Sequence, residues 1–325
     1  MDRKQRIRAT LRSEPVDHPP AALWGHDFLR EWTPDDLVAS TLDAWKPYDW
    51  DFIKFNPRAT YFAEAWGNTY ERPVDQRQPR PLEMRVRVAA DLLAIEPLDP
   101  RAGVLGEHLL ALRMLLHEVG DDIDVLHTVF SPLSVVAMLA GPPERFRELA
   151  RDDPGAAHHA VRSVAGTLAA YAAAAVEAGA AGIFFAPLTW ASSDTADYAF
   201  YREFGRPYDL QVLDAVRSSE FNVLHVCRNR NMLAHLLDYP VAAFNWADRG
   251  EGNPTLGEAR TLTTKAIMGG IDHARLHTMT PADVVQQAQE AMAVGAGVMV
   301  TGGCAIPPQT PAENRRAVSE AVRSP

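Results

Sequence analysis

The chain's most suggestive residues for chemistry are His225 and Cys227, two positions apart in "LHVCRN" at the end of a short apolar run. The only other cysteine, Cys304, lies far downstream in "VTGGCAIPP". Residues i and i+2 of a strand point to the same side, so His225 and Cys227 can both face one interior, about 6 to 7 Å apart along the backbone. Inward-leaning side chains close that separation on a single ion. Gly302 and Gly303 let the chain approach closely and turn sharply before Cys304, which can then reach the same place as a third ligand. One imidazole and two thiolates, with a fourth position left to water or substrate, describe an exchangeable zinc site. Such an ion holds an incoming thiol as its nucleophilic thiolate, and the chemistry this favours is alkyl transfer to sulfur. Spacing alone leaves the bland alternative open, because a His-x-Cys pair on a buried strand is also served by three unrelated core residues.

The elements that must position these residues are eight short apolar runs, at 21–28, 50–57, 123–130, 181–188, 221–227, 241–248, 265–272 and 296–303. Each is nearly continuous instead of alternating, as parallel strands covered on both faces require. Helical patterns separate them at 34–46, 107–118, 143–178, 198–218, 229–238, 255–263, 281–294 and 311–323, several opening on a cap and a proline, as in "TPDDL", "TPADV" and "TPAEN". The alternation predicts an α/β fold, a single-domain TIM-like (β/α)8 barrel over residues 1–325 with an N-terminal extension. A spacer rich in Pro and Arg at 67–100 reads as an insertion after the second strand, a hairpin or lid over one rim. A doubly wound sheet is the rival, but neither a G-x-G-x-x-G after a strand nor a P-loop is found.

Composition narrows the function. Of 325 residues, 47% are hydrophobic and 23% charged, values that suit a globular core, and the net charge of -10 offers no basic stripe for nucleic acid. The basic N-terminus lacks an apolar core and no run reaches the length of a membrane span, so the expected location is cytoplasmic, with no membrane partner. Two cysteines make no disulfide framework; in a reducing compartment they are buried thiols or metal ligands.

In a barrel of this type, chemistry collects at the C-terminal ends of the strands. His26 and Asp27, Asn56, His225 and Cys227, Asp248, Asp272 and His273, and Cys304 all fall there. Asp248, beyond Trp246 at the sixth strand's end, is read as an outer-sphere base or ligand holder, or alternatively as a helix cap or salt-bridge partner. Asp272 and His273 are weighted toward structure. His127, His158, His159 and His235 have no partners at ligand spacing and are read as surface or core residues.

Three further segments, "NWADRGEGNPTLGEAR", "IMGGIDHARL" and "MVTGGCAIPPQTPAENRRAVSEAVR", with the opening "SEPVDHPPAALWG", resemble the uroporphyrinogen decarboxylase superfamily in order and spacing. The fold this resemblance implies is again a TIM-like barrel. The decarboxylases carry an arginine-rich loop after the opening motif that grips substrate carboxylates. Here that loop reads "LWGHDFLREW", with Arg30 as its only arginine, and Cys304 stands where the decarboxylases have a histidine. The sequence is more similar to the superfamily's zinc-dependent methyltransferase branch, the methylcobamide:coenzyme M methyltransferases, whose H-x-C then C signature is matched by His225, Cys227 and Cys304.

The resemblance implies a zinc cofactor, a corrinoid such as methylcobalamin as methyl donor, a separate corrinoid protein as partner, and a thiol or folate-like small molecule as acceptor. A tetrapyrrole decarboxylase and a non-catalytic binding barrel are the alternatives. A homodimer is also compatible, since the porphyrinogen branch often dimerises. His26 and Asp27 fall where the decarboxylases begin their arginine loop and are expected to touch substrate. Asn56 and Glu64 are expected at the rim, with Glu64 or Asp27 a candidate fourth zinc ligand. Trp190 and Tyr198, after the fourth strand, are expected to line the mouth against a flat ligand such as a corrin ring or else to pack at the rim, and Trp246 is placed with the substrate-binding residues.

Overall fold

The computed structural model describes residues 1–324. In chain order its strands are β1 (Ala21–Ala22), β2 (Phe52–Phe55), β3 (Thr69–Glu71), β4 (Arg80–Glu83), β5 (Asp124–Phe130), β6 (Gly182–Ala186), β7 (Val223–Val226), β8 (Ala243–Trp246), β9 (Ala266–Ile271) and β10 (Val298–Gly302). Eight of them form one parallel sheet in the order β1-β10-β9-β8-β7-β6-β5-β2, and each falls within one of the eight predicted runs. Every residue of β5 to β10 is buried, because the strands face side chains inside and helices outside. The result is a nearly closed (β/α)8 barrel.

The ring closes between β1 and β2 without a ladder. Asp51 donates its N–H to the Ala21 carbonyl at 2.9 Å, and the Ala21 N–H donates to the Asp51 carboxylate at 2.8 Å. The same carboxylate, fully buried, accepts from the Arg6 guanidinium at 2.6 Å. One side chain thus does at this seam what a row of backbone bonds does elsewhere in the ring. The predicted first strand, 21–28, is cut to two paired residues and an isolated bridge from Gly25 to Ile306, where a Cβ on residue 25 would sit 2.9 Å from the Ile306 carbonyl oxygen.

Several helices differ from expectation, each for a local reason. The 143–178 helix is two, Pro143–Asp152 and Pro154–Glu177, because Pro154 has no N–H to continue the first; Asp153 caps the second through the Ala156 N–H. The 198–218 helix is likewise broken at Gly205, ahead of Pro207, into Tyr198–Phe204 and Arg206–Asp214. The 229–238 helix is not formed. Arg228 and Arg230 adopt positive φ, and residues 230–232 bond to neighbouring loops, leaving a single turn at Leu233–His235. Helices Arg3–Leu11 and Pro132–Ala140 were not anticipated; the second is apolar on nearly all sides and carries no amphipathic period to read. The 67–100 insertion contains the antiparallel hairpin β3–β4, tied to the loop after β1 by Gln76, which accepts from the Phe28 N–H at 3.1 Å and donates to Asp27 at 2.8 Å. Among the described residues, no helix is long and apolar enough to cross a membrane.

Candidate metal centre

His225 is the third residue of β7, and Cys227 follows the strand's last residue, so both project from the C-terminal end of one strand. Arg228, at φ 74°, turns the chain away immediately afterwards. Cys304 arrives from β10 across the barrel through the two glycines. A Cβ on Gly303 would lie 2.5 Å from Ala247 Cα, and one on Gly302 would lie 2.9 Å from the Cys304 carbonyl oxygen. Only glycine permits that approach, which presses the Cys304 loop onto the end of β8.

The three side chains predicted from spacing meet. One ligand atom from each of His225, Cys227 and Cys304 lies within 4.8 Å of the others. The two sulfurs are 3.8 Å apart and are free thiols. Two sulfurs each about 2.3 Å from a zinc ion at the tetrahedral angle are separated by about 3.8 Å, so the spacing found is the one a zinc dithiolate needs. The two thiols also differ in acidity. The Cys227 hydrogen bond holds Cys304 well below the usual thiol range, while the same contact and burial push Cys227 well above it.

The imidazole is oriented by a residue that sequence reading missed. Asn245, directly opposite His225 in the β7–β8 register, places its Oδ1 2.6 Å from His225 Nδ1. Its Nδ2 faces three acceptors, the carbonyls of Met268 at 3.0 Å and Gly302 at 3.1 Å and the Thr301 hydroxyl at 3.2 Å. The amide therefore cannot be turned over, so Oδ1 accepts and Nδ1 must carry the proton. Nε2 is left as a lone-pair donor, the tautomer a metal ligand requires. Asparagine at 245 has no signal in the sequence, because the pairing that sets it opposite His225 exists only once the strands are in register.

Other candidates have other placements. Asp248 stands outside the three-ligand cluster, accepting from the Gly270 N–H at 2.9 Å; burial pushes its pKa up to about 6 against that hydrogen bond. A Cβ on Gly269 would sit 2.6 Å from the same carboxylate. His26, stacked on Phe28 with ring centroids 5.0 Å apart, is hydrogen-bonded through Nδ1 to the buried Glu31 at 2.8 Å. Asp27 is held by Gln76, and Glu64 by both arms of Arg58 at 2.8 and 2.6 Å and by Thr60 at 2.6 Å, so neither joins the cluster as a fourth ligand. Asn56 accepts from Lys54 and donates to the Gly25 carbonyl at 2.9 Å.

The aromatic candidates are packed against other side chains. Trp246 is fully buried, its indole N–H on the Pro254 carbonyl at 2.7 Å, and Trp190 is buried against Phe146 and Phe200. Tyr198 stacks on His235 at 4.2 Å. His127 is a core residue, hydrogen-bonded to the Tyr171 hydroxyl at 2.8 Å.

A cavity of about 240 Å³ opens along the β1–β2 seam, lined by Trp24, His26, Lys54, Asn56 and Ile306 among others. Lys54, 8% exposed in the middle of "DFIKF", was not singled out from sequence. A lysine inside an otherwise apolar strand was the available signal.

A family model described as uroporphyrinogen decarboxylase (URO-D) matches residues 2–325. A methylcobamide:CoM methyltransferase of Methanosarcina mazei is 26% identical, the match covering 99% of this chain and 97% of that protein; its counterpart in Methanosarcina acetivorans is 23% identical with the same coverage. Among solved structures, a methyltransferase from Methanosarcina mazei superposes with a TM-score of 0.80 over 99% of this chain and 98% of that one, at 21% identity. A B12-independent methionine synthase from Shewanella shares the fold at a TM-score of 0.61 and 13% identity, over 94% and 97% of the two chains.

Proposed function

This chain belongs to the uroporphyrinogen decarboxylase family, and from that membership together with its His–Cys–Cys cluster we propose that it is a zinc-dependent methyltransferase. In this reading it moves a methyl group between a corrinoid, free or held by a separate small protein, and a thiol or folate-like acceptor in the cytoplasm. The observation that carries it is the convergence of His225, Cys227 and Cys304 within 4.8 Å, with a sulfur–sulfur distance matched to zinc. The names of the Methanosarcina relatives support the corrinoid. The loop after β1 supports a methyltransferase over a decarboxylase, since its single arginine, Arg30, is already paired with Asp43 at 2.8 Å.

His225, Cys227 and Cys304 would hold the ion. Bound zinc supplies the Lewis acidity that keeps an acceptor thiol ionised at neutral pH. Asn245 fixes the imidazole so that no reorganisation accompanies ligand exchange. Asp248, a carboxylate whose pKa burial pushes up to about 6, serves as the outer-sphere proton acceptor. In the transfer, the acceptor sulfur forms its bond to the methyl carbon as the carbon–cobalt bond breaks, the electron pair remaining on cobalt. His26, Asp27 and Asn56, at the cavity, contact the acceptor.

The test is elemental analysis of wild type beside Cys304→Ser, with methyl transfer from methylcobalamin to 2-mercaptoethanol assayed on both. About one zinc per chain, lost together with transfer in the variant, is expected. Zinc-free wild type, purified without chelator, sinks the metal site, and turnover of uroporphyrinogen would return the chain to the decarboxylases. Asp248→Asn should keep the zinc and slow transfer; unchanged transfer removes Asp248 from the chemistry.

A further inference from the structure

Lys54 is a cation inside the barrel with no acid paired to it. All four residues of β2 are buried, and the only hydrogen bond of its ammonium among the described residues is to the neutral amide oxygen of Asn56. Glu31, the acid it faces, already accepts from His26 Nδ1 and from the Asp27 N–H, at 2.8 and 2.9 Å. The ammonium lies 5.0 Å from the centroid of the Phe184 ring, and the His225 ring is 5.1 Å from that same centroid. A metal ligand and the unpaired cation thus rest on one aromatic side chain. The other charges the ammonium faces are Cys304 and Cys227, with the neutral, buried His127 behind it.

An ammonium taken out of water without a partner costs several kcal/mol. Here burial pulls the Lys54 pKa down to about 7, with the two thiols and Glu31 opposing. A further anion brought close would restore the full charge, and that anion would be held strongly because little water screens the pair.

We propose that Lys54 is a positioning residue for the methyl acceptor, supplying the positive charge that lets the His225–Cys227–Cys304 centre take a third, anionic sulfur. The inference rests on the zinc methyltransferase reading. A divalent ion held by two thiolates and a neutral imidazole carries no net charge. A thiol that binds as thiolate, its proton passing by way of Asp248 to solvent, leaves the buried centre at minus one, and Lys54 returns the pocket to neutrality. A neutral donor such as imidazole needs no such compensation, so Lys54 discriminates between ligands by charge. The seam cavity, which Lys54 lines, gives a small thiol room beside the ammonium.

The experiment titrates cobalt-substituted protein at neutral pH with 2-mercaptoethanol, followed by the thiolate-to-cobalt charge-transfer band, and separately with imidazole. Wild type is compared with Lys54→Met and Lys54→Arg. Thiol affinity should fall about tenfold or more in Lys54→Met, the order expected for a partly buried charge pair, while imidazole affinity stays within about twofold and cobalt content is unchanged; Lys54→Arg should recover most of the loss. Equal effects on both ligands, or none on the thiol, overturn the role of Lys54. Should Lys54→Met lose its fold, Lys54→Gln, which can still bond Asn56, carries the same comparison. Thiol binding in wild type without methylation of the thiol by methylcobalamin overturns the methyltransferase reading and leaves Lys54 in place; wild type that binds cobalt but no thiol overturns both.

Discussion

The mouth of this barrel has two unlike halves. Around β7, β8 and β10 the strands are fully laddered, and His225, Cys227 and Cys304 are held by a strand end, an amide locked by three acceptors, and two glycines pressed on β8. Further round the ring, on the other side of β10, β1 and β2 barely pair. Their seam is held by one buried carboxylate, it opens into a cavity, and it is lined by charges, Lys54, Glu31 and His26, that are only partly matched. A metal site demands geometry fixed to within tenths of an ångström, which regular structure supplies. A site for a small exchanging molecule demands space and unspent charge, which regular structure would fill. On the proposed function, the division gives ion-holding to the laddered half and acceptor-binding to the seam.

Substitutions on either side of that division separate the two roles. The largest expected effect is on the seam: Asp51→Ala leaves Arg6 short of one buried partner and removes the side-chain link between β1 and β2, and should cost about 3 kcal/mol of unfolding free energy by denaturant titration. Its metal content should be unchanged; loss of metal would show that the two halves are not independent. In the laddered half, Asn245→Ala frees the imidazole to rotate and should weaken metal binding about 10- to 100-fold in a chelator competition, with the protein still folded. Undiminished affinity would mean that the tautomer is set elsewhere. The smallest effect belongs to Gln76→Ala, which unties the β3–β4 hairpin from the loop after β1. At an exposed site it should lower stability by less than about 1 kcal/mol and change acceptor KM without touching metal affinity.

These contrasts follow from how much of each half was legible beforehand. The barrel was readable because parallel strands buried on both faces must be continuous apolar runs, and all eight paired strands lie within those runs. The helices between them were less so. A proline or glycine inside a periodic stretch, as at Pro154 and Gly205, was passed over, and an apolar helix such as Pro132–Ala140 has no polar face to betray it. The convergence of His225, Cys227 and Cys304 was legible because these are rare residues, two of them spaced at the strand period. Its support was not, since Asn245 is an ordinary residue until register sets it against His225. The aromatic candidates Trp190 and Trp246 show the converse: a residue type suited to a flat ligand is equally suited to the core, and here both are buried.

By itself the sequence determined which atoms were available for chemistry and the order of the elements that carry them, because hydrophobic period and rare side chains are local properties. Tertiary structure alone decided that Cys304 stands 3.8 Å from Cys227, that Asn245 sets the proton on His225, and that Lys54 is enclosed without an acid to neutralise it. Each of these depends on strand register and on the close approach of segments distant in the chain, which no local pattern specifies.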